Sequence, residues 1–130
     1  MESAAHYLAK MEHIAKRLES KPHLLRMGCL LSETVLIEIG EECFYLTFHR
    51  GHIEKIAQGR NRKIPWRFAI RMDADALERF WQKLPAPGFH DIFGLVKLGR
   101  ARIDGDILNL VKNLRFFKEI LAIPREEQTA

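Results

Sequence analysis

The sequence predicts an α+β fold, in which helices pack on one face of a five-stranded, mostly antiparallel sheet. Three observations predict it. Apolar residues recur at helical spacing near the N-terminus, alternate with other residues in the middle of the chain, and return to helical spacing after residue 106. Glycines separate the alternating runs, as expected for short strands joined by tight turns. The predicted order of elements is therefore α-β-β-β-β-α-α-β-α.

The first 28 residues are predicted to form an N-terminal amphipathic helix and a connector. A helix over residues 3–20 places five apolar side chains on one face: Ala4, Leu8, Met11, Ala15 and Leu18. Pro22 and Gly28 then bracket a short apolar connector. We expect residues 29–124 to form the main domain and residues 125–130 to form a flexible tail.

Four strands are predicted in the middle of the chain. Residues 35–39 and 44–48 alternate apolar with other side chains, and a third strand follows the turn at Gly51. Residues 60–65 then form a basic loop whose proline interrupts regular pairing. Residues 66–72 alternate again, which predicts a half-buried fourth strand.

Two helices and a strand are predicted next. Asp73 or Asp75 is expected to cap the first helix, because Asp75 and Glu78 have the spacing of a capping box. The apolar face of this helix comprises Leu77, Phe80, Trp81 and Leu84. A short helix over residues 89–98 and a strand over residues 100–103 follow.

The last predicted helix carries more apolar surface than one core contact needs. It follows an Asp104-Gly105 turn, has Asp106 as its N-cap and runs over residues 107–123. One stripe comprises Ile107, Leu110, Val111, Leu114, Phe117 and Leu121. Four further apolar residues lie outside it: Leu108, Phe116, Ile120 and Ile123. Such a helix is either enclosed by protein or closes over an apolar ligand, so binding is favoured over a reaction.

The composition is that of an ordinary globular protein, with 47% apolar and 29% charged residues. Lys and Arg number 21 against 17 Asp and Glu, and the net charge of +4 permits an anionic partner without requiring one. Cys29 and Cys43 form no CxxC pair, so we expect two reduced thiols. We expect no signal peptide and no membrane span, and therefore a cytoplasmic location.

Few residue patterns indicate catalysis. His49 and His52 straddle a turn near Glu54, but no third ligand has suitable spacing, so we expect no metal. No serine lies in a Gly-x-Ser-x-Gly context and no glycine-rich phosphate loop occurs. Cys29, near His23, lacks an orienting acid and is interpreted as a buried, inert thiol. We therefore expect no enzymatic activity and no cofactor, and the near-balanced charge disfavours a nucleic-acid partner.

These elements, taken in order, resemble the sterol carrier protein (nonspecific lipid-transfer) family. The resemblance covers about residues 30–121 and is carried by residues 44–48, Gly51, Gly59, residues 68–84 and residues 93–114. Its most specific part is the segment 99–106, which stands where the family has a Gly-Lys-x-x-x-x-Gly-Asp/Asn passage, with Arg100 in place of the usual lysine.

The resemblance implies an apolar tunnel between the sheet and its helices. In that family the tunnel holds fatty acyl chains, acyl-CoA, sterols or phospholipids without chemistry, and related bacterial domains handle isoprenoid quinone precursors as accessory proteins. The basic loop of residues 60–65 is more charged than the family pattern. Residues 127–130 differ from the peroxisomal address of eukaryotic relatives, which favours a bacterial cytoplasmic protein.

Two sets of residues are predicted to form the site. Ten apolar residues would line the ligand cavity, or else pack on one another as core: Phe68, Ile70, Phe80, Trp81, Phe89, Phe93, Leu110, Leu114, Phe117 and Leu121. Five basic residues would bind an anionic headgroup, or else form a solvated outer sheet face: Arg60, Arg62, Lys63, Arg67 and Arg71.

We therefore predict a non-enzymatic protein that binds or carries a hydrophobic ligand in an apolar cavity between the sheet and the helices. The ligand would be a fatty acyl, phospholipid, sterol-like or isoprenoid chain, and transient contact with a membrane surface is expected. The alternative is an accessory or scaffold protein of the same fold, for example in quinone or lipid metabolism. It would bind a protein partner or a second copy through its apolar helices, including the N-terminal one.

Overall fold

A computed structural model describes the backbone of residues 2–127 and the side chains of residues 4–126. The helices are α1 (Glu2–Leu18), α2 (Pro22–Met27), α3 (Ala74–Phe80), α4 (Ile92–Lys97), α5 (Ile107–Lys112) and α6 (Leu114–Leu121). The strands are β1 (Thr34–Ile39), β2 (Glu42–His49), β3 (His52–Gln58), β4 (Phe68–Met72) and β5 (Ala101–Gly105). A 3₁₀ helix, Ile123–Glu127, ends the described part of the chain.

The five strands form one sheet in the order β3-β2-β1-β4-β5. β1, β2 and β3 pair as an antiparallel meander, and β5 pairs antiparallel with β4. β4 lies parallel to β1, with Ile37 opposite Ile70. The predicted α+β class and the mostly antiparallel, five-stranded sheet are confirmed.

The core lies between the helices and one face of the sheet, here called the inner face. The inner face contributes Val35, Ile37, Ile39, Phe44, Leu46, Phe48, Phe68, Ile70 and Met72. α1 adds Met11, Ile14 and Leu18, each at most 1% exposed. α1 therefore shares one core with the sheet, and this core occupies the buried apolar face of the helix.

Edge-to-face aromatic contacts organise the centre of this core. The ring centroid of Phe117 lies 5.1 Å from that of Phe68 and 5.5 Å from that of Phe48. The indole nitrogen of Trp81 donates a hydrogen bond to the Leu121 carbonyl at 2.8 Å. These contacts join α3 and α6 to the inner face.

α2 occupies the segment predicted to be a connector. Pro22 lies in its first turn, where a missing backbone N–H costs nothing, and Leu24 is buried. At its end, a Cβ on Gly28 would lie 2.6 Å from the ring of Phe116. Gly51, with a φ of +86°, approaches the Gly28 carbonyl in turn, so α2, α6 and the β2–β3 turn meet where only glycine fits.

A smaller apolar cluster lies on the opposite, outer face of the sheet. Leu36, Cys43, Tyr45 and Ala69 are buried there, and Ala57, Ile64 and Trp66 pack against them. The basic loop of residues 60–66 covers this cluster. Alternation along residues 66–72 predicts Trp66 on the inner face with Phe68, which is wrong because β4 begins only at Phe68 and Trp66 still belongs to the loop.

The single helix predicted over residues 107–123 is wrong, because the chain leaves helical geometry at Asn113. Asn113 has φ −115° and ψ 24°, and its side-chain amide donates to the Asn109 carbonyl at 3.0 Å. An asparagine side chain competes in this way with backbone hydrogen bonding. α6 buries Phe116, Phe117, Ile120 and Leu121, so the excess apolar surface remains on α5.

Three other expectations change at element ends. α3 is capped by Asp73, which accepts the Ala76 backbone N–H at 2.8 Å, and Leu84 lies beyond the helix at 89% exposed. α4 begins later than predicted, after its cap Asp91. Residues 125–127 are helical rather than a flexible tail, since the Arg125 side chain donates to the Phe80 carbonyl at 3.0 Å. Residues 128–130 of the predicted tail lie outside the described residues.

Candidate functional site

α5 exposes most of its apolar surface. Ile107, Leu108 and Val111 are 51%, 71% and 50% exposed, and Leu110 is the only residue that it buries. Its predicted cap is confirmed, since Asp106 accepts the Asn109 backbone N–H at 3.1 Å. A six-residue helix is marginal in isolation, so one buried leucine and one cap leave α5 weakly anchored.

The elements beneath α5 carry residues of the aromatic cluster, which comprises Phe48, Phe68, Phe116 and Phe117. α5 packs against β4 and α6, which supply Phe68 and Phe117. The side-chain oxygen of Asn109 is buried at this contact and accepts no hydrogen bond from the described residues. An unsatisfied buried acceptor weakens the attachment of α5 further. α5 is therefore weakly attached to the two elements that carry Phe68 and Phe117.

The ten predicted lining residues differ in how deeply they are buried. Seven are at most 2% exposed: Phe68, Ile70, Phe80, Trp81, Leu110, Phe117 and Leu121. Phe89 is buried at the rim and Phe93 is half-buried against the same core. Leu114 instead lines a surface depression with Val111. The buried residues pack on one another in this structure, so their role in lining a ligand site stays a prediction.

Five depressions on the described part of the chain open to solvent. None of these five is lined by Phe68, Ile70 or Phe117. One of about 230 Å³ lies on the outer face between the basic loop and Tyr45. Another of about 500 Å³ lies beside α5, between Val111 and Lys118.

The five predicted headgroup residues divide between two places. Arg60 and Arg71 lie on the outer face and pair with Glu38, at 3.0 and 2.6 Å, and Arg71 also donates to Asp104 at 2.7 Å. Arg62 and Lys63 are exposed in the loop and form no ion pair with the described residues. Their headgroup role stays a prediction, on the side of the sheet away from the helices.

Arg67 is the one of the five that lies beside α5. Its guanidinium is 3.3 Å from the carboxylate of Asp106, the α5 cap, and its backbone carbonyl accepts the Asp106 N–H at 2.9 Å. A weaker contact of 3.7 Å joins it to Glu33. Arg67 therefore places a half-exposed cation at the start of α5.

Ion pairs set the electrostatics of the outer face. Burial and the neighbouring Glu38 carboxylate raise the pKa of the Cys43 thiol, so this cysteine is held protonated and unreactive. A second pair network lies at the start of α3, where Arg100 donates to Asp73 twice at 2.7 Å. This guanidinium lowers the pKa of Asp73 to about 2. The two networks join strands β1, β4 and β5 and the start of α3, and Cys43 is the thiol that lies in the depression beside the first of them.

The remaining candidates for chemistry lie apart from one another. His52 Nδ1 pairs with Glu19 at 2.6 Å rather than with His49. Cys29 is exposed, not buried as interpreted from the sequence, because it follows the end of α2. Among the residues described, no three His, Cys, Asp or Glu side chains come close enough to hold a metal. None of the described helices combines the length and hydropathy that crossing a bilayer requires.

Comparisons with known proteins identify the fold. Protein-family models and curated proteins gave no match. A crystal structure of sterol carrier protein 2 superposes with a TM-score of 0.72 and 12% identity, over 91% of this chain and 95% of that one. A conserved hypothetical protein from Thermus thermophilus, described as possibly a sterol carrier protein, gives 0.71 and 12% identity over 94% and 88%. Apo sterol carrier protein 2 from Yarrowia lipolytica gives 0.54 and 13% identity over 85% and 84%.

At these identities the likeness establishes architecture. The chain has the fold of sterol carrier protein 2, as the resemblance in the sequence predicted. Two features of the site were not predicted from the sequence: the pairing of the outer-face arginines with Glu38, and the separation of α5 from α6. Asn113 within an otherwise apolar run is the sequence feature that could have indicated the second.

Proposed function

We propose that the protein binds a hydrophobic ligand between its sheet and its helices and does not transform it. The ligand is a molecule with a long apolar chain: a fatty acyl, phospholipid, sterol-like or isoprenoid compound. The observation that carries the proposal is the state of α5, which exposes three of its four apolar residues and packs against β4 and α6, the elements that carry Phe68 and Phe117. The ligand would enter by displacing α5. The shared architecture with sterol carrier protein 2 supports it.

The energetics favour long chains. Lifting α5 re-exposes Leu110, which costs about 2–3 kcal/mol, and disrupts one helix cap, which costs about 1 kcal/mol. Each buried methylene contributes about 0.8 kcal/mol, so roughly five are needed to offset the opening and about ten give a clear net gain. Affinity should therefore rise steeply with chain length, because the opening cost is constant.

Two polar groups would meet the polar end of such a ligand. The unsatisfied Asn109 oxygen beneath α5 can accept a hydrogen bond from a hydroxyl group. Arg67, at the α5 start, can pair with a carboxylate or phosphate if Asp106 releases it. The other four predicted headgroup residues lie on the outer face, so a ligand held by the inner face reaches them only around the sheet edge.

The test combines extraction and titration. Mass spectrometry of the natively purified protein should detect a bound lipid, and a fluorescent acyl probe should be displaced by saturated fatty acids in order of chain length. Leu110→Phe places a larger side chain where a displaced α5 would admit the ligand, and it should weaken probe binding. Leu108→Phe, the same change on the exposed side of the same helix, should leave probe binding unaltered. No bound lipid and no probe binding at any chain length would refute the proposal.

A second candidate function is that of an accessory protein that binds a protein partner or a second copy through apolar helices. The exposed side of α5 is the observation that favours it, because α1 uses its apolar face within the core. It predicts a dimer or a stable hetero-complex in light scattering. A monomer that binds the acyl probe would reject it.

A further inference from the structure

The exposed side of α5 and the start of α6 combine apolar and basic residues. Ile107, Leu108 and Val111 project from a single helix of six residues, and none of the three serves the core. Ile107 and Val111 are four residues apart and so lie one above the other. Leu114, the first residue of α6, lines a depression beside Val111, which extends the apolar strip across the break at Asn113.

Three cations flank this strip, and two of them have no carboxylate partner among the described residues. Lys112 and Arg115 line the same depression as Val111, and within the described part of the chain neither forms an ion pair. Lys118 also lines it, and its nearest carboxylate, Asp91, is 3.8 Å away. The depression includes one anion, Glu119. The strip and its cations are called the α5–α6 face below.

We propose that the α5–α6 face docks on an anionic lipid bilayer, with Leu108 and its two apolar neighbours inserted among the acyl chains and Lys112, Arg115 and Lys118 against the headgroups. Charge complementarity selects this occupant. Exposed apolar residues beside unpaired Lys and Arg match the boundary between acyl chains and anionic headgroups. A protein interface of ordinary composition would instead be depleted in lysine.

Docking goes beyond the proposed ligand binding, since it needs no ligand in the interior. Each basic residue close to an anionic surface raises binding about fivefold, so the three cations together contribute about a hundredfold. Added salt weakens that contribution because ions screen the surface. Insertion of apolar side chains supplies the part of the affinity that salt does not remove.

The experiment measures sedimentation with sucrose-loaded vesicles of phosphatidylcholine containing about 30% phosphatidylserine, which gives them the negative surface potential of a cytoplasmic leaflet. The wild type should bind these vesicles at least tenfold more tightly than pure phosphatidylcholine vesicles. The pair Lys112→Glu and Arg115→Glu should lose at least tenfold. The pair Arg62→Glu and Lys63→Glu removes the same charge from the basic loop and should change binding by less than threefold.

A third variant tests insertion. Leu108→Ser should lower binding severalfold, and Leu108→Trp should bind with a blue shift of its emission beyond that of the wild type. Circular dichroism and urea unfolding confirm that every variant is folded. Acyl-probe titration without vesicles reports ligand binding separately, so docking and ligand binding fail independently.

Three results would overturn the proposal. One is a wild type that does not distinguish anionic from neutral vesicles. Another is a loop pair that loses as much binding as the Lys112 and Arg115 pair. The third is a Leu108→Ser variant that binds vesicles like the wild type while a dimer seen in light scattering dissociates, which would assign the face to a second copy.

Discussion

The outer face of the sheet and the α5–α6 face both concentrate arginine and lysine, but they use these cations differently. On the outer face, Arg60 and Arg71 converge on Glu38, and Arg71 also donates to Asp104. On the α5–α6 face, Lys112 and Arg115 have no such partners among the described residues and lie beside exposed apolar side chains. The first arrangement stabilises a sheet, and the second leaves charge available to a partner.

The difference shows that cations that cluster in the sequence need not stay unpaired in the fold. Residues 60–71 contain the densest cluster of cations, and the headgroup site was predicted there for that reason. Pairing in the fold engages Arg60 and Arg71 but not Arg62 and Lys63, and partners such as Glu38 and Arg71, 33 residues apart, are not adjacent in the sequence. Arg67 is part of this cluster in the sequence, but in the fold it lies beside Asp106 at the start of α5.

The largest expected effect contrasts the two sides of α5 itself. Leu110→Ala should lower the free energy of unfolding by about 2–3 kcal/mol, because Leu110 is the residue that anchors α5 in the core. Leu108→Ala should change it by less than about 0.5 kcal/mol, since its side chain is 71% exposed. Urea unfolding measures both. A comparable loss in the Leu108 variant would mean that the exposed side serves folding after all.

The next effect concerns the paired cations. Glu38→Gln keeps the shape of the side chain but removes the charge that Arg60 and Arg71 share, at a site where Glu38 is 13% exposed. The free energy of unfolding should fall by about 1–2 kcal/mol, because the partly buried Arg71 loses one of its two carboxylate partners and Arg60 loses its pair. Glu119→Gln on the α5–α6 face is the control, with an expected change below about 0.5 kcal/mol. Equal losses of unfolding free energy in the two variants would contradict the claim that the outer face uses its ion pairs for stability and the α5–α6 face does not.

The smallest effect concerns acid stability at the start of α3. Arg100 lowers the pKa of Asp73 to about 2, so the folded state holds this carboxyl ionised more strongly than the unfolded chain, where the pKa is about 3.9. Its stabilising contribution is therefore complete above about pH 4 and is lost as the pH falls toward about 2. Asp73→Asn still caps the helix but lacks the charge, so its urea midpoint should approach that of the wild type between these pH values.

A matched control for the acid experiment is Asp91→Asn at the cap of α4. Its basic neighbour, Lys118, is 3.8 Å away, and no guanidinium holds it as Arg100 holds Asp73. At neutral pH this variant should therefore lose less of its urea midpoint than Asp73→Asn does. A gap at Asp73 that stays constant from about pH 5 to about pH 2 would contradict the assigned role of Arg100.

Local patterns in the sequence predicted much of this architecture. Alternation in residues 35–39 and 44–48 matches β1 and β2, and the Asp106 cap is present as expected. These features depend on neighbours within a few residues, which a sequence displays directly. The sheet class and its five strands followed from them together with the family resemblance.

The remainder depended on contacts between distant segments. The apolar pattern continues through Asn113, and asparagine reduces helix stability only slightly, so the sequence does not indicate that the helix is interrupted there. The interruption accompanies the hydrogen bond from the Asn113 side chain to the Asn109 carbonyl. Trp66 packs on the outer face because β4 begins only at Phe68, and the alternation of faces within a strand does not extend into the preceding loop. The ligand site was predicted as a set of ten residues, whereas the fold distinguishes buried Phe68 from surface Leu114.

The central claim is that α5 is a weakly held cover over the aromatic cluster and opens for an acyl chain. Titration of ¹⁵N-labelled protein with palmitate, followed by amide chemical shifts, tests it most directly. We predict saturable shifts in residues 106–113 and around Phe68 and Phe117, with the basic loop of residues 60–66 unchanged. Unchanged spectra at saturating palmitate, or shifts confined to that loop, would contradict the claim.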